Sequence, residues 1–117
     1  MYYLKKGGTV ITYQELKEKV LFDEKFVVVL LNKPTKASSF LMELTFFEVI
    51  ENLAQKVNVY KISEKEQQKI VDDFQLFSEP LILVFVQGEL KDVIYFPISR
   101  KNLQNRLSSV FNEQVKI

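Results

Sequence analysis

The chain has 117 residues, a length that suits one domain with a single hydrophobic core. Sixteen basic and fifteen acidic side chains leave a formal charge of +1, which argues against a large field that would attract nucleic acid or an anionic membrane surface. Cysteine and histidine are both absent, which excludes disulfides, thiolate chemistry, the commonest metal ligand and the commonest general base near neutral pH.

No segment approaches the roughly 20 consecutive apolar residues that a membrane span needs. The first residues also lack an apolar run of signal-peptide length. We therefore expect a soluble, cytoplasmic protein with a single domain over residues 1–117, in which residues 1–8 form an N-terminal extension and residues 113–117 form a tail.

The first half of the chain predicts strand, helix, strand and a long helix. Thr9–Ile11 is a brief β-prone run, and Thr12 to Glu15 has the capping-box spacing that starts a helix of about ten residues. Phe26–Leu31 is apolar without polar alternation, as is typical of a strand covered on both faces. Pro34 ends regular pairing, and a long helix is predicted from about Ser38 to Gln55.

The long helix is predicted to have one broad apolar side. Leu41 and Leu44 fall on its polar side, where they either pack against a neighbouring loop or form an exposed contact patch. Glu43 falls within the apolar side in the first helical turn, where it marks a buried carboxylate, the mouth of a groove or a register error. The apolar side consists of Phe40, Met42, Phe46, Phe47, Val49, Ile50, Leu53 and Ala54.

The second half begins with another strand and helix. Val57–Ile62 is β-prone, and Ser63 to Glu66 repeats the capping-box spacing, so a helix is predicted from there to about Phe74. Leu81–Val86 follows Pro80 as a second wholly apolar strand.

The last part of the chain predicts a hairpin and a helix. Gln87 to Glu89 is a tight turn into Val93–Phe96, which is the predicted hairpin partner of the preceding strand. Ser99 is a favourable N-cap for a final helix with an i, i+4, i+7, i+8 apolar stripe. The stripe consists of Leu103, Leu107, Val110 and Phe111.

This order predicts an α/β fold. Strands separated by helices are expected to pair in parallel through right-handed crossovers, and the late hairpin adds an antiparallel edge. The result is a mixed sheet of four or five strands with helices on both faces.

The order and spacing of these elements resemble the thioredoxin family from about Thr9 to Phe111. The apolar strand at 26–31 runs through a short loop into a long helix, and Ser78-Glu79-Pro80 before an apolar strand is similar to the family's cis-proline segment. Residues 86–90, Val-Gln-Gly-Glu-Leu, are similar to the turn between the family's last two strands. The resemblance implies a thioredoxin-like three-layer α/β/α sandwich with a C-terminal antiparallel hairpin.

The chain departs from the family at the redox motif. The two cysteines of the family's Cys-x-x-Cys motif, which begins the long helix, fall on Lys36 and Ser39, with Ala37 and Ser38 between them. A helix N-terminus stabilises a thiolate, but neither position here carries sulfur. The resemblance therefore implies a degenerate active site without dithiol–disulfide oxidoreductase activity.

Other parts of the thiol apparatus are missing as well. Where the family has aromatic residues on either side of its motif, this chain has Asn32 and Thr35. The buried aspartate of the family aligns with Leu30. The family's lysine neighbour of that aspartate aligns with Lys61, which is expected to have no such carboxylate to face.

The resemblance also implies a peptide-binding groove that does not depend on cysteine. The family's peptide contacts suggest Ser78, Glu79 and Pro80, with residues 36–39 facing them, and an extended peptide would bind there by strand addition. The alternative is that Pro80 only begins a central strand where no ladder donor is needed. No cofactor or metal is expected.

Three functions remain open on the sequence alone. The first is a redox-inactive interaction module for a protein or peptide, with a homodimer through Leu41 and Leu44 as one form. The second is an accessory subunit of a bacterial secretion or bacteriocin-export system, which rests on fold analogy. The third is an enzyme with non-cysteine chemistry at Lys36–Ser39, where an N-cap serine beside a solvated lysine is the simpler interpretation.

Overall fold

The structure, a computed structural model, describes residues 9–33, 35, 37–53 and 56–115. The predicted N-terminal extension, Pro34, Lys36, Ala54 and Gln55 lie outside the described residues, as do residues 116–117.

Five strands form one mixed sheet in the order β1-β3-β2-β4-β5. They are β1 (Thr9–Ile11), β2 (Phe26–Leu31), β3 (Asn58–Ile62), β4 (Leu81–Val86) and β5 (Glu89–Tyr95). β3 is parallel to both β1 and β2, whereas β4 is antiparallel to both β2 and β5. The α/β class, the mixed sheet and the C-terminal antiparallel hairpin are therefore confirmed.

The expectation of parallel pairing is wrong for β4. A helix separates β4 from β3, but β4 does not pair with β3; it lies beside β2, with Leu31 opposite Leu81. The chain therefore enters β4 at the end where β2 finishes, and the two central strands run in opposite directions. The parallel crossover rule applies only to strands whose connection returns to the same end of the sheet.

Four helical segments cover the sheet. α1 spans residues 13–23 and consists of an α-helical turn (Tyr13–Glu15), a π-helical segment (Leu16–Val20) and a second α-helical turn (Leu21–Asp23). α2 is Ala37–Glu51, α3 is Gln67–Asp73 after a 3₁₀ turn at Glu64–Glu66, and α4 is Arg100–Val115. None of the helices in the described part of the chain is both long and apolar enough to cross a membrane.

Two boundaries differ from the predictions. The predicted tail is wrong at residues 113–115, because α4 continues to Val115. Neither glycine nor proline, the residues that commonly stop a helix, follows Phe111. The long helix α2 begins at Ala37 and ends at Glu51, and the predicted end at Gln55 lies outside the described residues.

Two of the three predicted caps form. Thr12 and Glu15 make a full capping box, in which the Glu15 amide donates to Thr12 Oγ1 at 3.1 Å and the Thr12 amide donates to Glu15 Oε1 at 2.9 Å. At the start of α4, the Asn102 amide donates to Ser99 Oγ at 3.1 Å. Both contacts satisfy amides that have no partner within the helix.

The predicted capping box at Ser63 is wrong. Ser63 makes no side-chain cap, and the segment after it begins as a 3₁₀ turn. The Glu66 carboxylate instead accepts the Tyr13 amide at 2.9 Å, a contact between residues 53 positions apart. The other oxygen, Glu66 Oε2, still accepts the Ser63 hydroxyl at 3.4 Å, so this carboxylate joins the start of α1 to the turn before α3.

The core has two layers, one on each face of the sheet. Side chains of β2 alternate between them, since successive residues of a strand point to opposite faces. α1 and α3 cover one face, and α2 and α4 cover the other. The first layer includes Leu16, Val20, Val27, Val29, Leu31, Ile70, Leu81 and Leu83, and the second includes Val28, Leu30, Phe46, Ile82, Leu103, Leu107 and Phe111.

The hairpin between β4 and β5 turns on Gln87 and Gly88 alone. Their φ angles are 51° and 84°, and two successive positive angles are the pattern of a two-residue type I′ turn. Glu89, predicted to be part of the turn, is the first residue of β5. A Cβ atom added at Gly88 would lie 3.0 Å from the Leu21 carbonyl oxygen, so the turn packs closely on the end of α1.

Candidate functional site

The strand register brings the two halves of the predicted site to one end of the sheet. Leu31 ends β2 opposite Leu81, which begins β4, so the loop after β2 starts beside the segment before β4. Lys33 Nζ lies 3.1 Å from Glu79 Oε2 and joins the two segments directly. The Glu79–Pro80 peptide bond is cis. We call Lys33, Ser78, Glu79 and Pro80 the proline corner.

The degenerate motif positions lie at the start of α2. Ala37 is the first helical residue, so Ser38 and Ser39 lie within the first turn, and neither occupies the N-cap position. Ser38 is exposed and Ser39 is half-buried. Because Lys36 lies outside the described residues, the predicted pairing of a serine with this lysine stays a prediction.

The pKa of the Glu79 carboxyl is lowered from its usual value, chiefly by the backbone N–H of the same residue. Partial burial opposes that shift, and the Lys33 ammonium lowers the pKa further. Only 15% of the Glu79 side chain is accessible, whereas 41% of the Lys33 side chain is accessible. The carboxylate therefore points into the corner, and the ammonium is the charge that solvent reaches.

A second polar cluster lies behind the corner and corrects the prediction for Lys61. Lys61 Nζ lies 3.1 Å from Glu43 Oε1, so this lysine does face a carboxylate. Asn32 Nδ2 donates to the other oxygen, Glu43 Oε2, at 2.7 Å. Both Asn32 and Glu43 are buried, and Glu43 lies in the second turn of α2 rather than the first.

The carboxylate of this cluster comes from a helix and not from the strand. Leu30, which aligns with the family's aspartate, lies opposite Lys61 in the pairing of β2 with β3. Glu43 reaches the same lysine from α2, which covers that face of the sheet. The only sequence signal for this contact is a charged residue within the apolar side of α2.

Gln67 is a buried residue that the sequence did not single out. Its Nε2 donates to the Asn32 carbonyl oxygen at 3.0 Å and to the Ile62 carbonyl oxygen at 3.1 Å. These two bonds tie the ends of β2 and β3 together at the side where the corner begins. No sequence pattern indicated this contact, because Gln67 is polar and starts a helix in which most residues are polar.

A second proline segment adjoins the corner. The Phe96–Pro97 peptide bond is also cis, and the Phe96 amide donates to the Pro80 carbonyl oxygen at 3.2 Å. Beside Phe96 is an open depression of about 190 Å³, smaller than the roughly 300–1,000 Å³ of small-molecule pockets. Its size suits one apolar side chain. It is lined by Ser38, Leu41, Met42, Thr45, Phe96, Pro97 and Ile98.

Large apolar side chains are exposed at the start of α2. Phe40, Leu41 and Leu44 are 56%, 62% and 58% accessible, and their i, i+1, i+4 spacing puts them on one side of the helix. We call these three residues the apolar patch. No neighbouring loop in the described ranges covers the two leucines, and the prediction that Phe40 belongs to the buried side is wrong. Glu43, Phe46 and Val49 form the buried side instead.

An aromatic pair, Phe77 and Tyr95, lies next to the corner on the chain segment before Ser78. Phe77, directly before Ser78, is 80% accessible, and its ring lies 5.6 Å from the ring of Tyr95. The Phe77 amide donates to the Tyr95 hydroxyl at 3.1 Å. Because Tyr95 pairs with Leu81 in the sheet, this contact fixes the segment that leads into Pro80.

No group of three or more acidic side chains in the described ranges is arranged to hold a metal ion. The chemistry available at the corner is therefore hydrogen bonding, one accessible ammonium and apolar contact.

Solved structures with this architecture include proteins of very different origin. A designed protein superimposes with a TM-score of 0.73 at 17% identity, over 89% of this chain and 97% of that one. A mutant thioredoxin from Halobacterium salinarum NRC-1 superimposes with a TM-score of 0.68 at 17% identity, over 86% of this chain and 89% of that one. No family model and no curated protein sequence matches the chain.

These likenesses and the sheet order show a thioredoxin-like α/β fold. The chain has this fold without a Cys-x-x-Cys motif, since it contains no cysteine at any position. It has no sulfur pair of its own with which to exchange a disulfide. At 17% identity, the comparisons establish the fold alone.

Proposed function

We propose that the protein is a redox-inactive interaction module that binds an extended segment of a partner protein at the proline corner. The observation that carries this proposal is the apolar patch of Phe40, Leu41 and Leu44, exposed at the start of α2. Leu41 also lines the depression that reaches Phe96, whose amide is bonded to Pro80. Phe96 thus links the depression beside the patch to the backbone of the corner.

The bound segment would lie beside residues 78–80 as an added strand. Backbone hydrogen bonds supply affinity in this mode, and pockets for alternate side chains supply selectivity. The depression beside Leu41 accepts one apolar side chain of the ligand, and the exposed ring of Phe77 offers a second apolar contact across the corner. Residues 36–39, the degenerate motif, are proposed to face the ligand without reacting with it.

The apolar patch also suits a homodimer, which would bury the same leucines. In that case peptide binding and self-association compete, so the oligomeric state is measured in the same experiment. The secretion-accessory and enzyme alternatives have no comparable support, because the first rests on fold analogy and the second needs Lys36 beside a serine.

The test is selection of short peptides from a displayed random library, followed by mapping of amide chemical-shift changes. We expect the shifts to cluster at residues 78–80 and the start of α2. Leu41→Glu should weaken binding by about tenfold or more, since loss of one buried leucine contact costs about 1.5–3 kcal/mol. Leu90→Glu is the matched control, because Leu90 is also exposed but lies at the hairpin end of β5.

Strand addition has its own control. N-methylation of alternate backbone amides in the peptide should abolish binding in one register and spare it in the other, since alternate amides face the sheet. Peptides that map elsewhere, or that bind Leu41→Glu as well as the wild-type protein, would refute the proposed site. Sedimentation of both variants shows whether the leucines serve self-association instead.

A further inference from the structure

The two edges of the sheet are protected unequally. At β5, Arg106 from α4 donates to the Val93 carbonyl oxygen at 3.1 Å, so a side chain of the protein covers that edge. At β1, the Ile11 carbonyl oxygen accepts the Ser63 amide at 3.1 Å, so the backbone groups of its neighbour Val10 face away from β3. No strand in the described ranges lies beyond β1. Natural proteins commonly cover such an edge with a loop or another segment of the chain.

An apolar groove adjoins this open edge. It is a depression of about 310 Å³ between the end of α2 and the start of β3. We call it the edge groove, and its lining includes Thr9, Phe47, Ile50, Glu51, Val57 and Val59. Val10, which is 59% accessible, pairs with Lys61 in the sheet, and Lys61 contacts Glu43 of α2. The exposed valine side chain therefore points to the face of the sheet on which the groove lies.

The chain enters β1 at the rim of the edge groove. Thr9 lines the groove and is the first residue that the structure describes, so residues 1–8 are joined to the protein at this point. Their sequence, Met-Tyr-Tyr-Leu-Lys-Lys-Gly-Gly, has its aromatic and apolar side chains at one end and two glycines next to Thr9. Leu4 is five positions before Thr9, and five extended residues span about 17 Å. The apolar part of the segment is therefore within reach of the groove.

We propose that residues 1–8 cover the edge groove, with the side chains of residues 2–4 against its apolar lining. Glycine adopts backbone conformations that other residues avoid, so residues 7–8 allow the chain to turn from β1 toward α2. Residues 5–6 are lysines, opposite in charge to Glu51 in the lining. A short tether gives the segment an effective concentration in the millimolar range, which favours it over a separate partner. The inference goes beyond the proposed function, because the groove lies at the end of α2 and the apolar patch lies at its start.

Cleavage by trypsin tests the proposal in the full chain. Trypsin cuts after lysine, so the rate of cleavage at Lys5 and Lys6 reports how often the segment leaves the groove. Val57→Glu places a charge in the groove lining without changing the cleaved sequence, and we expect it to raise that rate about tenfold or more. Val57→Leu keeps the lining apolar and should be cleaved at close to the wild-type rate. Equal rates in the wild-type protein and Val57→Glu would overturn the proposal.

Leu90→Glu is the matched control. It places the same charge on the exposed part of β5, the opposite edge strand, and should be cleaved at the wild-type rate. Thermal unfolding shows that each variant is folded before rates are compared. An equal rise in the cleavage rate of Leu90→Glu would also overturn the proposal, since the effect would not depend on the groove.

A second measurement needs no change to the groove. In the wild-type protein we expect nuclear Overhauser effects between the ring protons of Tyr2 or Tyr3 and the methyl groups of Ile50 or Val57. Replacing both tyrosines, Tyr2→Ser with Tyr3→Ser, should remove these effects. Their absence from the wild-type protein would overturn the proposal whatever the folding of the variants.

Mixed labelling identifies the molecule that supplies the segment. In a mixture of isotope-labelled and unlabelled protein, effects that arise within one molecule support the proposal. Effects seen only between molecules, with a sedimentation coefficient that rises with concentration, would assign the groove to a second copy and overturn it. Peptide binding at the proline corner is measured on the same variants and should match the wild-type protein in Val57→Glu, so failure of the peptide site and failure of the edge groove are distinguished.

Discussion

The buried pair of Glu43 and Lys61 allows the sharpest test of how the structure is stabilised. The perturbation is a double-mutant cycle of Lys61→Met, Glu43→Leu and the two changes together. Each side chain is largely buried, with 12% of Glu43 and 23% of Lys61 accessible. Lys61→Met leaves the carboxylate with its 2.7 Å bond from Asn32 and removes the ammonium that lies 3.1 Å from it.

The expected loss of unfolding free energy in each variant follows from how deeply the ion pair is buried. Removing one partner of a fully buried pair costs about 3–5 kcal/mol, and exposed pairs contribute about 0–1 kcal/mol. The partial exposure of Lys61 puts this pair between those limits, so we expect each single substitution to cost about 2 kcal/mol. The double substitution should cost about 1 kcal/mol or less, because apolar residues of similar volume need no compensation for lost hydration.

The assay is urea unfolding followed by circular dichroism. With a slope of about 1–3 kcal/mol per molar for a small domain, a single substitution should lower the midpoint by about 1 M. The coupling energy from the four proteins should be about 3 kcal/mol or more. Glu89 and Lys91 form an exposed control pair, for which the same cycle should give less than about 1 kcal/mol. Additive effects at Glu43 and Lys61 would refute the reasoning.

Three further predictions concern single positions. Gly88→Ala should lower the free energy of unfolding by about 1–2 kcal/mol in urea unfolding, because φ is 84° and the new Cβ would lie 3.0 Å from the Leu21 carbonyl oxygen. Burial and the Glu24 carboxylate raise the pKa of Tyr60 to about 12, so the contribution of the protonated phenol to the free energy of unfolding is complete below about pH 10 and is lost as pH rises through about 12. Tyr60→Phe should remove that loss of stability, and the absorbance of tyrosinate should follow the titration. The pKa of Glu79 is lowered from 4.5, so the contribution of its carboxylate to the free energy of unfolding is present above that pH and is lost as pH falls through the folded-state pKa. When the unfolding midpoint is measured at decreasing pH, Glu79→Gln should show a smaller decline than the wild-type protein.

The central strands were predictable to the residue. Phe26–Leu31 and Leu81–Val86 are wholly apolar runs with polar residues or proline at their ends, and each residue of both strands is buried. Such runs have no alternative to the middle of a covered sheet. The edge strand β5 was predicted only in part, because its first half is polar and exposed and its pairing comes from the hairpin.

Contacts between distant residues were not predictable in the same way. Glu66 has the spacing of a local cap to Ser63, yet it also accepts the amide of Tyr13, which the pairing of β1 with β3 brings beside it. Glu43 and Lys61 are 18 residues apart on a helix and a strand, and no local period relates them. Sequence periodicity identifies neighbouring residues within one helix or strand. These pairs depend instead on how a helix packs against a strand or another helix.

The proline corner was predictable because it depends on the central strands rather than on its own residues. The corner lies where β2 ends and β4 begins, and the opposed register of Leu31 and Leu81 places its two halves together. Among the described residues of the motif, 37–39 are not part of either core layer, so the thiols of a redox motif are not needed to hold this geometry. Disulfide exchange requires two sulfurs at the start of α2, whereas binding requires only an open backbone edge and apolar surface beside it. A chain without cysteine therefore lacks the sulfurs for disulfide exchange, whereas the proposed recognition needs none.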